Sequence, residues 1–116
     1  FVGGLLGHWS VWTHNVVKLY EMLRQYQDGR DIPANLLTLA AEVTDSNGAF
    51  FDVAHNFAGC IPGVHEVLHR QGIMEGIWCL NPDEVLSENQ AEEITRVYEA
   101  YPQLNDDAFV CDFLNH

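Results

Sequence analysis

Basic residues are scarce in this chain. Five lysines and arginines stand against 17 aspartates and glutamates among 116 residues, which gives a formal net charge of −12. A surface so rich in carboxylates repels phosphate groups and anionic lipids. We therefore expect no nucleic-acid partner and no membrane partner.

Cysteine is also scarce, and its spacing matches no metal or disulfide motif. Cys60, Cys79 and Cys111 are odd in number, far apart, and contain no Cys-x-x-Cys pair. Zinc knuckles and disulfide frameworks both depend on paired cysteines. The sequence therefore predicts reduced thiols, mostly packed, in a cytoplasmic protein.

Long apolar runs are missing as well. The opening residues, FVGGLLGH, are too short to span a bilayer and have no positively charged flank like that of a signal peptide. Because no methionine opens the chain, we expect it to be a fragment of a longer protein. A hydrophobic content of 47% is enough to bury a core, so we expect an ordered domain.

The apolar pattern predicts one strand followed by helices. Residues 5–15, LLGHWSVWTHN, combine small and bulky strand-favouring side chains and predict the strand. Apolar residues three and four apart predict helices over 16–27, 34–43 and 49–58, and the polar run TDSNG at 44–48 can interrupt the second of these.

The second half of the chain is predicted to be helical around an irregular segment. After a helix through HEVLHRQGIME, residues 73–84 contain Gly76 and an Asn-Pro pair and are expected to be irregular. Ser87 and Gln90 form a capping box that starts a helix over 90–101, and a last short helix begins at 105–107. The buried stripe of the longer helix is predicted to be Ile94, Val97, Tyr98 and Tyr101.

The stretch HEVLHRQGIME has the order of residues found in zinc proteases. On a helix, His65 and His69 lie one turn apart on the same face and can share a Zn²⁺ ion, while Glu66 can activate a bound water. However, Arg70 would place a cation beside the metal. We favour an ordinary amphipathic helix that packs its apolar side inward and exposes its polar residues, with a weak Glu66 to Arg70 ion pair.

Three longer segments resemble the dihydrodipicolinate synthase and N-acetylneuraminate lyase family. GHWSVWTHNVVKLYEML is similar to that family's last strand and following helix, with Gly7, Ser10, Val11 and Asn15 at the family's motif positions. IPGVHEVLHRQGIMEG is similar to its Pro-x-x-x-x-x-Leu-x-x-x-Gly helix and turn, and LSENQAEEITRVYEAY to its closing helix. The motifs occur in the family's order across about the whole chain.

This resemblance implies an α/β fold, with the chain as the C-terminal fragment of a (β/α)₈ TIM barrel. Residues 1–32 would be the last barrel strand and its helix, and residues 33–116 a C-terminal helical extension. The implied activity is that of a lyase, in which a lysine forms a Schiff base with pyruvate or a related 2-oxo acid and a tyrosine relays protons. The resemblance also implies that the enzyme uses no cofactor and that this chain binds no metal. It implies a homo-oligomer, since family members are commonly tetramers.

The same resemblance indicates which residues approach the substrate. Ser10 is expected to lie beside the pocket at the end of the strand, and Thr13 at its mouth. Lys18 is the only lysine, and it does not match the position of the family's nucleophile. No catalytic residue is therefore expected in this chain, and the lysine and tyrosine should lie upstream of Phe1.

Two further interpretations remain open from the residues. One is a zinc metallopeptidase fragment built on His65, Glu66 and His69. The other is a non-catalytic, acidic helical interaction domain whose apolar faces bind a partner protein.

Overall fold

Helices make up all the regular structure in the part of the chain that the computed structural model describes, residues 3–4 and 7–116. The α-helices are α1 (Thr13–Arg24), α2 (Asn35–Phe50), α3 (Cys60–Arg70), α4 (Gln90–Ala100) and α5 (Asp107–Leu114). Short 3₁₀ helices occupy Gly7–Ser10 and Val53–His55. Within these ranges, no helix is both long enough and apolar enough to cross a membrane.

The predicted strand is wrong for the described part of residues 5–15, and with it the TIM barrel fold. Gly7–Ser10 is a 3₁₀ helix and α1 already begins at Thr13, while Leu5 and Leu6 lie outside the described residues. Residues 3–4 and 7–116 contain neither a strand nor a sheet. Residues 1–32 were predicted to be a strand and a helix. The helix is present as α1, and the described residues of this range contain no strand.

The physical reason is that a strand requires a neighbouring strand to satisfy its backbone groups. Here the segment closes its hydrogen bonds locally. The Val11 N–H donates to the His8 carbonyl at 3.3 Å, and the Val16 N–H donates to the Trp12 carbonyl at 3.0 Å. The bulky side chains that favoured a strand serve instead to fill the core, since Val11 and Trp12 are at most 1% exposed.

The helices predicted over 16–27 and 34–43 are confirmed as α1 and α2, although α2 is longer than expected. The polar run 44–48 does not interrupt it, because Thr44 and Ser46 donate their hydroxyl groups to the Ala40 and Glu42 carbonyls one turn earlier, at 2.8 and 2.9 Å. Polar side chains that bond back to their own helix can be accommodated in its interior. α2 therefore continues to Phe50.

The helix predicted over 49–58 is wrong beyond Phe50. Asp52, Asn56 and Phe57 have φ angles of 57°, 54° and 67°, in the left-handed region that ends a right-handed helix. Between them lies only the 3₁₀ turn Val53–His55. We call residues 51–59 the left-handed turn; it reverses the chain so that α3 packs back on α2.

The core lies where α2, α3 and α4 meet the start of α1. Its central side chains are almost fully buried: Val11, Trp12, Ala49, Phe50, Val67, Ile94 and Val97. Of the predicted stripe on α4, Ile94 and Val97 are fully buried, and Tyr98 and Tyr101 pack against them partly exposed. The stripe is confirmed.

Candidate functional site

Ser10 and Thr13, the predicted substrate-binding residues, lie next to each other at the start of α1. Both are exposed, and both hydroxyl groups donate to nearby backbone carbonyls. Ser10 bonds to Gly7, and Thr13 bonds to Trp9 at 2.8 Å. The two side chains thus stabilise the turn into the helix, and their contact with a substrate stays a prediction.

Between them, Trp12 holds a strained backbone conformation. Its φ and ψ angles are 52° and 34°, which a bulky residue rarely adopts. The ring is 1% exposed and makes edge contacts with Phe50 and Tyr98, at centroid distances of 4.8 and 5.0 Å. Its indole N–H donates to the Tyr98 hydroxyl at 3.1 Å. Burial of this ring offsets the cost of the left-handed backbone.

Asp106 caps the N-terminus of α1 from the far end of the chain. Its carboxylate accepts the His14 backbone N–H at 2.9 Å and the Gln71 side-chain amide at 2.7 Å. Trp12, the residue at the cap position, has no side-chain oxygen for this purpose. A negative charge also suits the positive end of the helix dipole. Asp106 therefore joins α1, α3 and the start of α5.

The His-Glu-x-x-His residues lie on α3, but each is engaged with protein groups. The His65 Nδ1 atom lies 3.8 Å from the Cys79 sulfur, and the His69 Nδ1 atom lies 3.0 Å from the Met74 carbonyl. Glu66 accepts a hydrogen bond from Arg70 at 2.7 Å. The predicted ion pair is therefore present, and the carboxylate that would activate water is bound to a cation.

Arg70 also fastens α3 to α4. Its guanidinium donates to the Thr95 hydroxyl and to the Ala91 carbonyl, both at 3.0 Å, and it lies over the Tyr98 ring at 5.8 Å. Among residues 3–4 and 7–116, no three His, Cys, Asp or Glu side chains converge closely enough to hold a metal ion. The geometry of the motif is that of a helix-packing segment.

Two of the thiols, Cys60 and Cys79, lie in surroundings that disfavour the thiolate. Burial, together with the negative charge of Glu84, raises the pKa values of Cys60 and Cys79. A thiol attacks only as the thiolate, so these two groups stay protonated and unreactive at neutral pH.

Asp52 is a buried carboxylate with three hydrogen-bond donors. It is 3% exposed, and its carboxylate accepts from the Ser87 hydroxyl at 2.5 Å, the Gly59 N–H at 2.8 Å and the His55 ring at 2.6 Å. Burial raises the pKa of Asp52, but these three hydrogen bonds outweigh it and bring the pKa below its ordinary value. Asp52 is thus an ionised acceptor that closes the left-handed turn onto the loop before α4.

Gln90 completes this junction. Its side-chain oxygen accepts the Ser87 N–H at 3.0 Å, and its amide donates to the Gly59 carbonyl at 2.9 Å. The Gln90 half of the predicted capping box is therefore present. The serine half is missing, because the Ser87 hydroxyl bonds to Asp52 and not to a backbone N–H of α4. Gln90 is 3% exposed, and it links α2, α3 and α4.

Serine, histidine and aspartate meet at this junction, but in the wrong order for nucleophilic catalysis. In a catalytic triad the serine hydroxyl donates to histidine, and the carboxylate orients the histidine from its other nitrogen. Here Ser87 and His55 both donate to Asp52. The Ser87 hydroxyl therefore lacks the imidazole base of a triad, and the Asp52 carboxylate that accepts its proton is a weak base shared with two other donors, so the arrangement is structural.

Beside this junction runs a shallow groove of about 330 Å³, bounded by the left-handed turn and the start of α4. Its polar wall is a chain of ion pairs. Arg96 donates to both oxygens of Asp45 at 2.8 and 2.9 Å, and Tyr101 donates to the same carboxylate at 2.7 Å. These hydrogen bonds lower the pKa of Asp45 to about 2.

We expect the protein to lose stability between about pH 4 and pH 2. The pKa of Asp45 falls from 3.8 to about 2 on folding, and that of Asp52 also falls. Carboxylates with depressed pKa values stabilise the fold above their unfolded pKa, and this contribution is lost as they are protonated. Because Asp45 is 37% exposed, its share should stay below about 1 kcal/mol.

Urea unfolding at a series of pH values measures this effect. Asp45→Asn should flatten the dependence in that window, and Tyr101→Phe, which removes only one of the donors, should flatten it less. If the loss of stability between pH 4 and pH 2 is the same in both variants as in the unsubstituted protein, Asp45 is not its source.

Sequence reasoning did not find the Asp52 junction or the Asp45 ion pairs. The partners that tie these carboxylates to α4 and the loop before it lie 35 to 56 positions away in the chain, and no local pattern marks them. The capping-box spacing of Ser87 and Gln90 was the one sequence pattern that involves residues of this junction, and it predicted only where α4 starts. Compared with known proteins, the chain matches no family model, and no curated protein or solved structure is significantly similar to it.

Proposed function

We propose that this chain is the C-terminal helical part of a Schiff-base-forming lyase that resembles dihydrodipicolinate synthase and N-acetylneuraminate lyase. Its substrate would be pyruvate or a related 2-oxo acid. The enzyme would be cytoplasmic and a homo-oligomer, tetrameric by resemblance. The chain would supply helices to this enzyme, and the lysine and the proton-relaying tyrosine would come from residues before Phe1.

One observation supports the proposal best: the three segments that carry the resemblance are also the segments that pack together. Trp12 of the first segment hydrogen-bonds to Tyr98 of the third at 3.1 Å. Arg70 of the second bonds to Thr95 of the third at 3.0 Å. A set of motifs inherited together is expected to share one core.

Lys18 is consistent with a nucleophile located elsewhere. It is exposed on α1, and no residue of the described part of the chain forms a hydrogen bond or ion pair with it. A Schiff-base lysine needs burial or a neighbouring cation so that a neutral amine is available to attack the carbonyl. Lys18 has no such surroundings.

The direct test is chemical trapping on the product of the complete reading frame that encodes this chain. The lysine amine adds to the 2-carbonyl of pyruvate and loses water, and hydride from borohydride then adds to the resulting C=N carbon to give a stable secondary amine. We expect one reduced adduct per polypeptide, mapped by mass spectrometry to a lysine upstream of Phe1. Lys18→Arg should be trapped equally well, and protein without pyruvate should not be modified.

Two results would refute the proposal. One is the absence of any adduct with pyruvate or with a panel of 2-oxo acids. The other is a reading frame without an upstream lysine, or an adduct on Lys18 alone.

A further inference from the structure

The loop between α3 and α4, residues 71–89, displays large apolar side chains to solvent. Trp78 and Val85 are 62% and 65% exposed. Leu80 is fully exposed, at 107% of the reference accessible area for leucine. The loop contains no helix or strand, and irregular segments of this length in small domains are usually binding elements or disordered linkers. A disordered linker would make few contacts with the rest of the domain, whereas a binding element is held in place by such contacts.

Several contacts hold the loop in place. Cys79 lies against His65 of α3, and the Ser87 hydroxyl donates to the buried Asp52. The Trp78 ring lies on Gly76, so closely that a methyl group there would come within 3.1 Å of the indole. An exposed tryptophan that is already positioned loses little entropy on binding. The loop therefore has the character of a binding element.

Two exposed side chains from the neighbouring segments extend this apolar area. Phe57 of the left-handed turn is 55% exposed, and Ile61 in the first turn of α3 is 47% exposed. The segments are adjacent, because the Ser87 hydroxyl of the loop donates to Asp52 of the left-handed turn at 2.5 Å and the Cys79 sulfur of the loop lies 3.8 Å from His65 of α3. We call Phe57, Ile61, Trp78, Leu80 and Val85 the loop surface.

The lysine, arginine and carboxylate charges along the loop and the first half of α4 have one sign. From residue 71 to residue 95 the chain contains six carboxylates and no lysine or arginine: Glu75, Asp83, Glu84, Glu88, Glu92 and Glu93. The arginines that flank this stretch are engaged, Arg70 with Glu66 and Arg96 with Asp45 and Glu93. We call these six carboxylates the acidic rim. Exposed apolar side chains on so acidic a stretch of chain favour a cationic partner over an anionic one.

We propose that the loop surface binds a basic amphipathic segment of another protein, whose apolar side chains cover Trp78 and Leu80 while its lysines and arginines face the acidic rim. A second copy of this chain suits the surface poorly, because two molecules of charge −12 would bring like-charged rims together. This binding role is separate from the lyase activity and does not depend on it.

The test uses a fluorescent helical peptide of leucine and lysine, with leucine on one face, and measures fluorescence anisotropy. We expect saturable binding that weakens as salt is added. Trp78→Ala and Leu80→Ala should each weaken the affinity about tenfold, as for central contacts of an interface. Leu37→Ala is the matched control, since Leu37 is 75% exposed on α2, away from the loop, and its removal should leave affinity unchanged.

Three outcomes would overturn the proposal. The first is a glutamate version of the peptide binding as tightly as the lysine version. The second is equal affinity of Trp78→Ala and the unsubstituted protein, with circular dichroism showing both folded. The third is a dimer in light scattering that Leu80→Ala dissociates, which would make a second copy the occupant.

Discussion

Replacing Trp12 by alanine is expected to lower the free energy of unfolding by about 3–5 kcal/mol. The ring is 1% exposed, packs edge-on against Phe50 and Tyr98, and donates its N–H to the Tyr98 hydroxyl. Its removal leaves a cavity at the junction of α1, α2 and α4. Urea unfolding followed by circular dichroism measures the loss.

Two further variants separate packing from backbone strain at this position. Trp78→Ala removes the same side chain from an exposed site and should change stability by less than about 0.5 kcal/mol. Trp12→Gly should be about 1 kcal/mol more stable than Trp12→Ala, because only glycine adopts a φ of 52° without strain. If the alanine variant were the more stable of the two, the left-handed conformation of Trp12 would be contradicted.

Substituting alanine for each of two helix glycines is expected to change stability in opposite directions. Gly63 of α3 lies directly against α2, so that an added methyl group would fall on the Phe50 carbonyl oxygen and 2.5 Å from the Gln90 amide nitrogen. Because these are backbone and buried atoms, α3 must move away, and Gly63→Ala should cost about 3 kcal/mol or more.

Gly48 of α2 is the matched position with open space. No atom lies within 4 Å of a methyl group added there. Gly48→Ala should therefore raise the free energy of unfolding by about 0.5–1 kcal/mol, the usual difference in helix propensity. Thermal melting of both variants provides the comparison, and a similar effect from the two substitutions would show that α2 and α3 do not touch at Gly63.

The helices illustrate how far sequence reasoning reaches. Apolar residues three and four apart predicted α1 and the first part of α2, and the stripe through Ile94 and Val97 of α4 is buried as expected. Such patterns succeed because a helix depends on side chains within one or two turns of one another. The same local view failed at residues 44–48, where polar side chains bond back into α2, and after Phe50, where the left-handed turn begins.

The candidate site was much harder to predict than the helices. The His-Glu-x-x-His spacing is obvious in the sequence, yet Glu66 is bound to Arg70, and that arginine is bound to α4. Asp52, by contrast, lies in no motif, although it accepts hydrogen bonds from three separate residues. Motif spacing reports only which residues share a helix face, whereas the role of a charged group depends on every element that packs around it.

The sequence by itself determined the helical periodicity, the surplus of carboxylates and the irregular segment before α4, because composition and short-range spacing are sufficient for these properties. Only the tertiary structure decided that the segment around Trp12 is no strand, and that Asp52 and Asp106 are buried acceptors. Those outcomes depend on contacts across 35 to 92 positions of the chain. Such contacts form only when all the helices pack at once, and the free energy of burying Trp12 then outweighs the local preference of its own backbone.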